Sequence, residues 1–546
     1  MKLMSNQRPV ASSDQDDRLT CFPYGVGHGA EGVCLLVQMG PHRILLDCGL
    51  EDISPLQIDG IPPADLVLCS HAHSDHSQGL LALHQTFPQL PIYASEVTTQ
   101  LLLLNWPELP PEDILPFCQA LPWVTPVEFC EGLTAQLFPA GHLPGAAAFL
   151  LTYTTRHRTY RLLYTGDFFL SNSRLVEGLS LESLRGTQPD VVIVEGSYGT
   201  ARHPHRRQQE NQLVERIEQA IATNNSVVLP VPTLGLGQEI LMLLRSHHHF
   251  TGRDLDIWVN GNVAAGCNAY LELLSHFPSS VQNFARHQAL FWDERVRPRV
   301  RRLDLQHRDA IGKSPCIILT DLNMDWREYW QQENRSWVVL QPEHLKSLDP
   351  IDEYGSLKVE TYLLAQHGDC LGTTQLIHNL RPQHVIFVHG SPTYLADLAG
   401  LEELQNRYHL HTPAAGTLVE LPIGDTFIRP ALPTETNYEG ELNELDTLVY
   451  ITLSRAIATD PRWQNFADTG LVEARWQGEE LVLRGLSQRE LLKQGGRAKI
   501  PINIECCGNC LYQRGQRCWN PASALYGFKV TLEGYCPVFE RIEPLE

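Results

Sequence analysis

The stretch LVLCSHAHSDHSQG, Leu66 to Gly79, sets three histidines and an aspartate within six residues directly after an apolar run. Imidazole and carboxylate groups packed so densely are costly to hold near an interior unless something neutralises them. The apolar Leu66–Cys69 reads as a strand that pins the backbone at its tip. His71 and His73, two residues apart, can face one way from an extended tip. Asp75 and His76 then come from the turn that opens the next helix, expected over Ser77–Phe87. One segment thus offers two histidines to one cation, and a carboxylate with a histidine to a second. Neutral imidazole with carboxylate suits Zn²⁺, with Mn²⁺ and Fe²⁺ as substitutes. The run His247-His248-His249 lacks the preceding strand and a partnering carboxylate, and reads as a solvated loop.

Around that segment, short β-type runs alternate with turn chemistry from about Arg18 to Asp190. VCLLVQMGPHRILLDCG reads as a hairpin around Gly40-Pro41, and ADLVLCSHAHSDH, ELPPEDI, RLLYTGDF and PDVVIVEGSYG continue the strand pattern. After Glu195 the texture becomes strand–helix alternation, as in a parallel sheet: a helix over Arg207–Thr223, the strand SVVLPVPT, the helix GQEILMLLRSH, then DIWVNG, a helix near Ala264–Phe277 and CIILTDL. VETYLLAQHGD and HVIFVHGSP return to the first style. The expected organisation is a polar disordered tail at 1–17, a layered αββα body from 18–195 and 359–425, an inserted α/β domain at 196–358, and a small α+β C-terminal unit at 436–546. That last unit should hold a helix around Leu445–Ala458, a hairpin VEARWQGEELVLRG, and a helix opened by the capping box Ser487–Glu490.

Composition excludes some functions. A chain of 546 residues exceeds one ordinary core, and 43% hydrophobic with 19% charged residues is a soluble globular balance. No apolar run approaches a membrane span and the polar N-terminus is no signal peptide, so no membrane partner and a cytoplasmic location are expected. A net charge of −21 argues against a protein that coats nucleic acid with its whole surface. Two local runs could still line a groove: six arginines from Arg295 to Arg308, and Arg202, His203, His205, Arg206 and Arg207. Nine of the 14 cysteines are scattered and read as buried thiols. Cys507, Cys510, Cys518 and Cys536 instead form one late cluster, which points to a further Zn²⁺ or an iron–sulfur cluster rather than disulfides.

The pattern His71-x-His73-x-Asp75-His76 resembles the metal-binding signature of the metallo-β-lactamase fold, and other pieces follow in order. PAGHLPGA places His142, similar to the family's third ligand; LLYTGDF places Asp167, similar to its bridging carboxylate. ILLDCG places Asp47, the buried orienting acid, and IFVHGSP places His389, the final ligand. Residues 168–388 separate Asp167 from His389, and the joints of that insertion resemble the β-CASP nucleases, which include ribonuclease J and the cleavage-and-polyadenylation endonucleases. VEGSYG places Glu195, LPVPTLGLGQE resembles the entry to their cap domain, and LLAQHGDC places the cap-side His367. Leu236 stands where the family commonly carries arginine, and Ala146 where it carries serine.

The resemblance implies His71, His73 and His142 on one metal, Asp75, His76 and His389 on the other, and Asp167 between them. It implies a phosphodiesterase that cleaves single-stranded RNA with a hydroxide activated by two metals, Zn²⁺ or Mn²⁺, with His367 as proton donor beside Glu195. A histidine at position 389 resembles the RNA-processing rather than the DNA-repair branch. The partner is then RNA, within a homo-oligomer or an RNA-processing complex. Two alternatives stand beside it: a catalytically silent scaffold subunit of RNA processing, and a metallohydrolase of small esters or thioesters.

Overall fold

The computed structural model describes residues 18–29, 31–109, 116–303, 311, 314–322, 336–343, 357–424, 427, 429–430, 441–445, 448–452, 472–477, 480–485, 510–514, 517–521 and 540. The chain divides into two compact units, Met1–Thr436 and Asn437–Glu546. Among the described residues no helix is long and apolar enough to cross a membrane.

The first unit begins with β1 (Leu19–Val26), β2 (Val33–Met39) and β3 (His42–Leu46), then β4 (Leu66–Leu68), β5 (Ile92–Ser95) and β6 (Cys118–Leu121). The β2–β3 hairpin forms where the sequence signals it: Gly40 takes φ +58 at the turn, which sets Leu35 opposite Leu46 and Val37 opposite Ile44. From β3 onward the pairing is parallel, Leu45 beside Val67 and Ile92 beside Cys118. A second sheet takes β7 (Val127–Cys130), β8 (Leu133–Pro139), β9 (Ala147–Thr154), β10 (Thr159–Tyr164) and β11 (Val191–Glu195).

The chain then leaves this pair of sheets. β12 (Ser226–Val231), β13 (Asp256–Val259), β14 (Arg299–Arg302), β15 (Cys316–Asp321), β16 (Trp337–Pro342) and β17 (Leu357–Tyr362) form a third sheet in the order β14-β13-β15-β12-β16-β17, all parallel. β12 carries a proline in a buried strand, yet β16 pairs with it only as far as Val228. Pro230, with no N–H to give, lies past the end of that ladder. Residues 359–362, expected in the first body, belong to β17 of this sheet. The chain rejoins the second sheet at β18 (His384–Val388) and β19 (His409–His411), and β20 (Val419–Glu420) closes the first sheet beside β1. We call residues 196–383 the insert.

Alternate side chains of the two seven-stranded sheets, among them Leu35, Val37, Leu133, Phe149, Leu162, Ile193 and Ile386, face each other in one buried core. The opposite faces are covered by helices, among them α1 (Ser74–Ser77), α2 (Leu80–Thr86), α3 (Glu96–Leu101) and α4 (Leu181–Leu184), giving helix–sheet–sheet–helix layering consistent with a metallo-β-lactamase fold. In the insert, α5 (Arg206–Ala222), α6 (Leu236–Ser246) and α7 (Gly261–Glu272) flank the third sheet.

Three local expectations are corrected. The helix anticipated over Ser77–Phe87 starts earlier and is split into α1 and α2. Gly79 sits at the break, where a Cβ would come 2.7 Å from the Leu50 carbonyl oxygen. ELPPEDI is no strand where it is described; residues 107–109 are a turn and the strand comes later, at β6. In the second unit, 441–452 forms a hairpin, β21 (Glu441–Leu445) with β22 (Leu448–Thr452), so a helix around Leu445–Ala458 does not start there. The β-branched and aromatic LVYIT pairs better across a ladder than it winds. VEARWQGEELVLRG is a hairpin, β23 (Val472–Gln477) with β24 (Glu480–Gly485). The helix anticipated from Ser487 lies outside the described residues.

One close approach ties the first hairpin to the histidine segment. A Cβ on Gly49 would stand 1.7 Å from the Asp75 carbonyl oxygen. Gly49→Ala should therefore cost about 3 kcal/mol, the upper end of over-packing effects, read as a lowered thermal midpoint; an unchanged midpoint would show that the approach is not needed.

Candidate metal centre

Four strand ends and their following turns supply the site. His71 and His73 extend from β4, and Asp75 and His76 lie in α1. His142 follows β8 and Asp167 follows β10, both at tight turns where Gly141 and Gly166 adopt positive φ. His389 follows β18 and itself holds φ +51, its N–H donating to the Val26 carbonyl at 2.6 Å. A left-handed histidine is an uncommon conformation that a functional site can impose.

The ligand atoms of His71, His73, His142 and Asp167 lie mutually within 4.8 Å, as do those of Asp75, His76 and His389. Asp167 faces both groups. Its Oδ2 is 3.4 Å from His71 Nε2 and 3.7 Å from His142 Nε2; its Oδ1 is 3.3 Å from His76 Nε2 and 3.5 Å from His389 Nδ1. His389 Nε2 meets Asp75 Oδ2 at 3.1 Å.

The opposite ring nitrogens are held by donors and acceptors that assign the tautomers. Asp47, at φ +58, accepts Ser70 N (2.6 Å), Ser70 Oγ (2.7 Å), His76 Nδ1 (2.7 Å) and the Tyr164 hydroxyl (2.5 Å). Because the Ser70 proton goes to Asp47, His71 Nδ1 donates to Ser70 Oγ at 3.0 Å and leaves Nε2 bare. Ser197 Oγ donates to Glu195 and accepts His389 Nδ1 at 2.8 Å. Asp47 was foreseen as an orienting acid. Ser70, Tyr164 and Ser197 were not singled out, because a buried hydroxyl beside a strand end carries no spacing signal.

His71 Nε2, His76 Nε2 and both carboxylate oxygens of Asp167 are buried without a hydrogen-bond partner. An uncompensated buried carboxylate is expensive, and bare imidazole nitrogens aimed at it are the coordination set of a divalent cation. Burial, followed by the neighbouring imidazoles, pushes His71 and His142 well below the usual histidine range, which favours the neutral ligand form. Burial would raise Asp167, but His389, His76, His367 and His71 together hold it well below the carboxylate range. The residues fit a pair of cations.

His367 lies at the rim, its Nδ1 at 3.1 and 3.2 Å from the Glu195 oxygens and 3.7 Å from Asp167 Oδ2. Burial pulls it down, but Glu195 and Asp167 outweigh that and lift it to about 9. Glu195 is fixed in turn by Phe168 N at 2.9 Å.

Other expected features resolve differently. His249 does have a carboxylate partner, Glu218 at 2.7 Å, reached across from α5. The arginine run lies largely on the edge strand β14, where Arg297, Arg299 and Arg301 pair with Asp254, Asp256 and Glu294, and Arg302 stacks on Trp292; it is a paired edge rather than a free basic groove. Arg308 lies outside the described residues. Arg206 turns inward, donating to the Ala365 carbonyl and lying beside Glu210 and Glu239. Cys510 and Cys518 are both buried, Cys510 ahead of the short hairpin β25 (Gln513–Arg514) and β26 (Arg517–Cys518) and Cys518 at its end. Cys507 and Cys536 lie outside the described residues.

If the centre binds cations, Zn²⁺ at roughly 1,000 times its dissociation constant should raise stability by about 4 kcal/mol. A chelator should reverse the rise in melting temperature and Asp167→Ala should remove most of it; a melting curve indifferent to both zinc and chelator would rule the centre out.

Residues 42–229 match the Beta-lactamase superfamily domain family. An uncharacterized protein of Synechocystis sp. is 50% identical over 543 residues, 96% of this chain and 97% of its own length. The cleavage and polyadenylation specificity factor subunit 3 of Dictyostelium discoideum is 22% identical over 72% of this chain and 56% of its own. A ribonuclease of Thermus thermophilus is 30% identical over 48% of this chain and 62% of its own. The chain thus spans between half and two thirds of the length of these last two relatives. With the domain match lying over the strands and turns that carry His71 to Asp167, the chain carries a metallo-β-lactamase superfamily domain.

Proposed function

We propose that the protein is a metal-dependent β-CASP-type ribonuclease that hydrolyses phosphodiesters in single-stranded RNA. The observation that carries this reading is the His367–Glu195 pair beside Asp167: a charged imidazole, held by a buried carboxylate, at the edge of the metal donors. Relatives named for RNA cleavage and for cleavage and polyadenylation support the substrate class.

In this reading His71, His73, His142 and Asp167 would hold one cation, and Asp75, His76, His389 and Asp167 the other. Bound there, two divalent cations, Zn²⁺ or Mn²⁺, would supply Lewis acidity toward a phosphodiester at neutral pH. The chain itself supplies the rest. Ser70, Asp47 and Ser197 fix the imidazole tautomers, and Glu195 keeps His367 protonated so that it can deliver a proton to the leaving oxygen. The insert, residues 196–383, acts as the cap over the body formed by the two seven-stranded sheets. Retention of every expected donor speaks against a silent scaffold subunit.

At the C-terminus we assign Cys507, Cys510, Cys518 and Cys536 to a Zn²⁺ or iron–sulfur site. The support is the two buried thiols, one ahead of a tight hairpin and one at its end, where Trp519 N donates to the Tyr512 carbonyl at 2.9 Å. Metal analysis should find zinc or iron beyond two equivalents, lost in Cys510→Ala; visible absorption bleached by dithionite identifies iron.

End-labelled RNAs bearing 5′-monophosphate, 5′-triphosphate or 5′-hydroxyl termini test the activity. The metal-loaded protein should cleave them, Asp75→Ala should abolish cleavage, and His367→Ala should lower kcat by about 10²- to 10⁴-fold, the range for a lost proton donor, with metal content retained. Turnover of esters without RNA cleavage would assign the site to small-molecule hydrolysis instead.

A further inference from the structure

Of the three imidazoles around the first cation position, His71 is oriented by the sheet body, through Ser70 and Asp47. The other two are oriented by backbone carbonyls that the insert brings in. His73 Nε2 donates to the Leu234 carbonyl at 3.3 Å, and His142 Nδ1 donates to the Gln366 carbonyl at 2.9 Å. The free nitrogens, His73 Nδ1 and His142 Nε2, then face each other at 3.0 Å with their lone pairs converging. The two rings must therefore hold opposite tautomers, and the acceptors that set them come from the turn before α6 and the segment after β17.

Those acceptors are anchored from within the insert. Gln238 Nε2 fixes the Thr233 carbonyl at 3.0 Å, and Gln209 Oε1 accepts the Ala365 N–H at 2.8 Å. Gly235, at φ +89, leaves room for the Gln366 side chain, which a Cβ would meet at 3.2 Å. What fastens this assembly to the body is Glu239 in the first turn of α6. Its carboxylate, 4% exposed, accepts Ser173 Oγ (2.7 Å), Arg174 N (2.8 Å) and Leu175 N (2.9 Å), all in the loop that follows Asp167. Arg206 lies 3.6 Å from the same carboxylate and Arg174 pairs with Glu210 of α5, so the clamp is doubled.

We infer that Glu239 is a positioning residue for the metal centre, seating the insert so that the Leu234 and Gln366 carbonyls hold His73 and His142 in opposite tautomers. This rests on the reading of the His71–His73–His142–Asp167 group as a cation site. Loss of the clamp lets the two carbonyls drift and the imidazoles re-tautomerise, which weakens the ligands without removing any. Outer-shell partners of metal-bound histidines have effects of this kind.

The test uses the full chain, with Co²⁺ as the probe titrated against a competing chelator and followed by its visible spectrum. Glu239→Gln should bind one of the two Co²⁺ equivalents of the histidine–aspartate centre about 10- to 100-fold more weakly, with an altered spectrum, while the melting temperature of the metal-free protein changes little. Ser173→Ala, which deletes one of the three bonds, should show a smaller loss in the same direction and serves if the first variant folds poorly. His142→Ala is the control and should lose one equivalent. Wild-type affinity and spectrum in Glu239→Gln and Ser173→Ala, with His142→Ala defective, would overturn the inference and leave the metal centre standing. A fall in metal-free melting temperature in Glu239→Gln, with Ser173→Ala binding normally, would also overturn it. Retention of both equivalents by His142→Ala would overturn the metal-centre reading itself.

Discussion

A single buried carboxylate organises the centre of this protein. Asp167 is 1% exposed and neither oxygen has a hydrogen-bond donor, yet imidazoles from four separate segments approach it. An arrangement of that kind is unfavourable as a bare protein interior and favourable as a cation cage. The ends of β4, β8, β10 and β18 converge to build it. Left-handed backbone at Asp47 and His389, and glycines that admit close approaches, are the local concessions that the convergence requires.

The network around the carboxylate has two layers of different origin. Asp47, Ser70 and Tyr164 belong to the two-sheet body and are present however the insert sits. Leu234 and Gln366 are presented by the insert, with Glu239 as the fastening. The insert also delivers His367 to Glu195, so the same docking that orients His73 and His142 brings in the proposed proton donor. The proposed ligand geometry and proton donation thus depend on one interface, which holds an ion-paired cluster of Arg174, Arg206, Glu210 and Glu239.

The histidines and aspartates of the centre, unlike the hydroxyls that orient them, were legible in the sequence. His71 to His76 declare themselves by spacing after an apolar strand, and His142, Asp167 and His389 each stand where an apolar run ends at a glycine turn. The alternation of the β2–β3 hairpin and the apolar runs of β11, β12 and β18 gave their strands directly, since a strand buried on both faces needs no polar alternation. Elsewhere local signals misled. LVYIT was read as helical although its β-branched residues favour the ladder it forms. The arginines of β14 were read as able to line a groove or to pair with neighbouring acids, and acids on the neighbouring strand and turn do pair with Arg299 and Arg301. That pairing is a cross-strand matter, invisible to a run of letters.

Spacing and residue chemistry alone determined that this chain carries a histidine–carboxylate centre on a layered α/β body interrupted by a long insert. They could do so because ligands clustered at strand ends leave a short-range pattern. Which nitrogen of each histidine is free, and which carbonyl, hydroxyl or carboxylate holds the other, was decided only by tertiary structure. Those partners are backbone oxygens and single hydroxyls brought from far along the chain: Leu234 to His73, Gln366 to His142, Tyr164 to Asp47. A backbone carbonyl has no residue identity to read, so its role exists only once the fold has placed it.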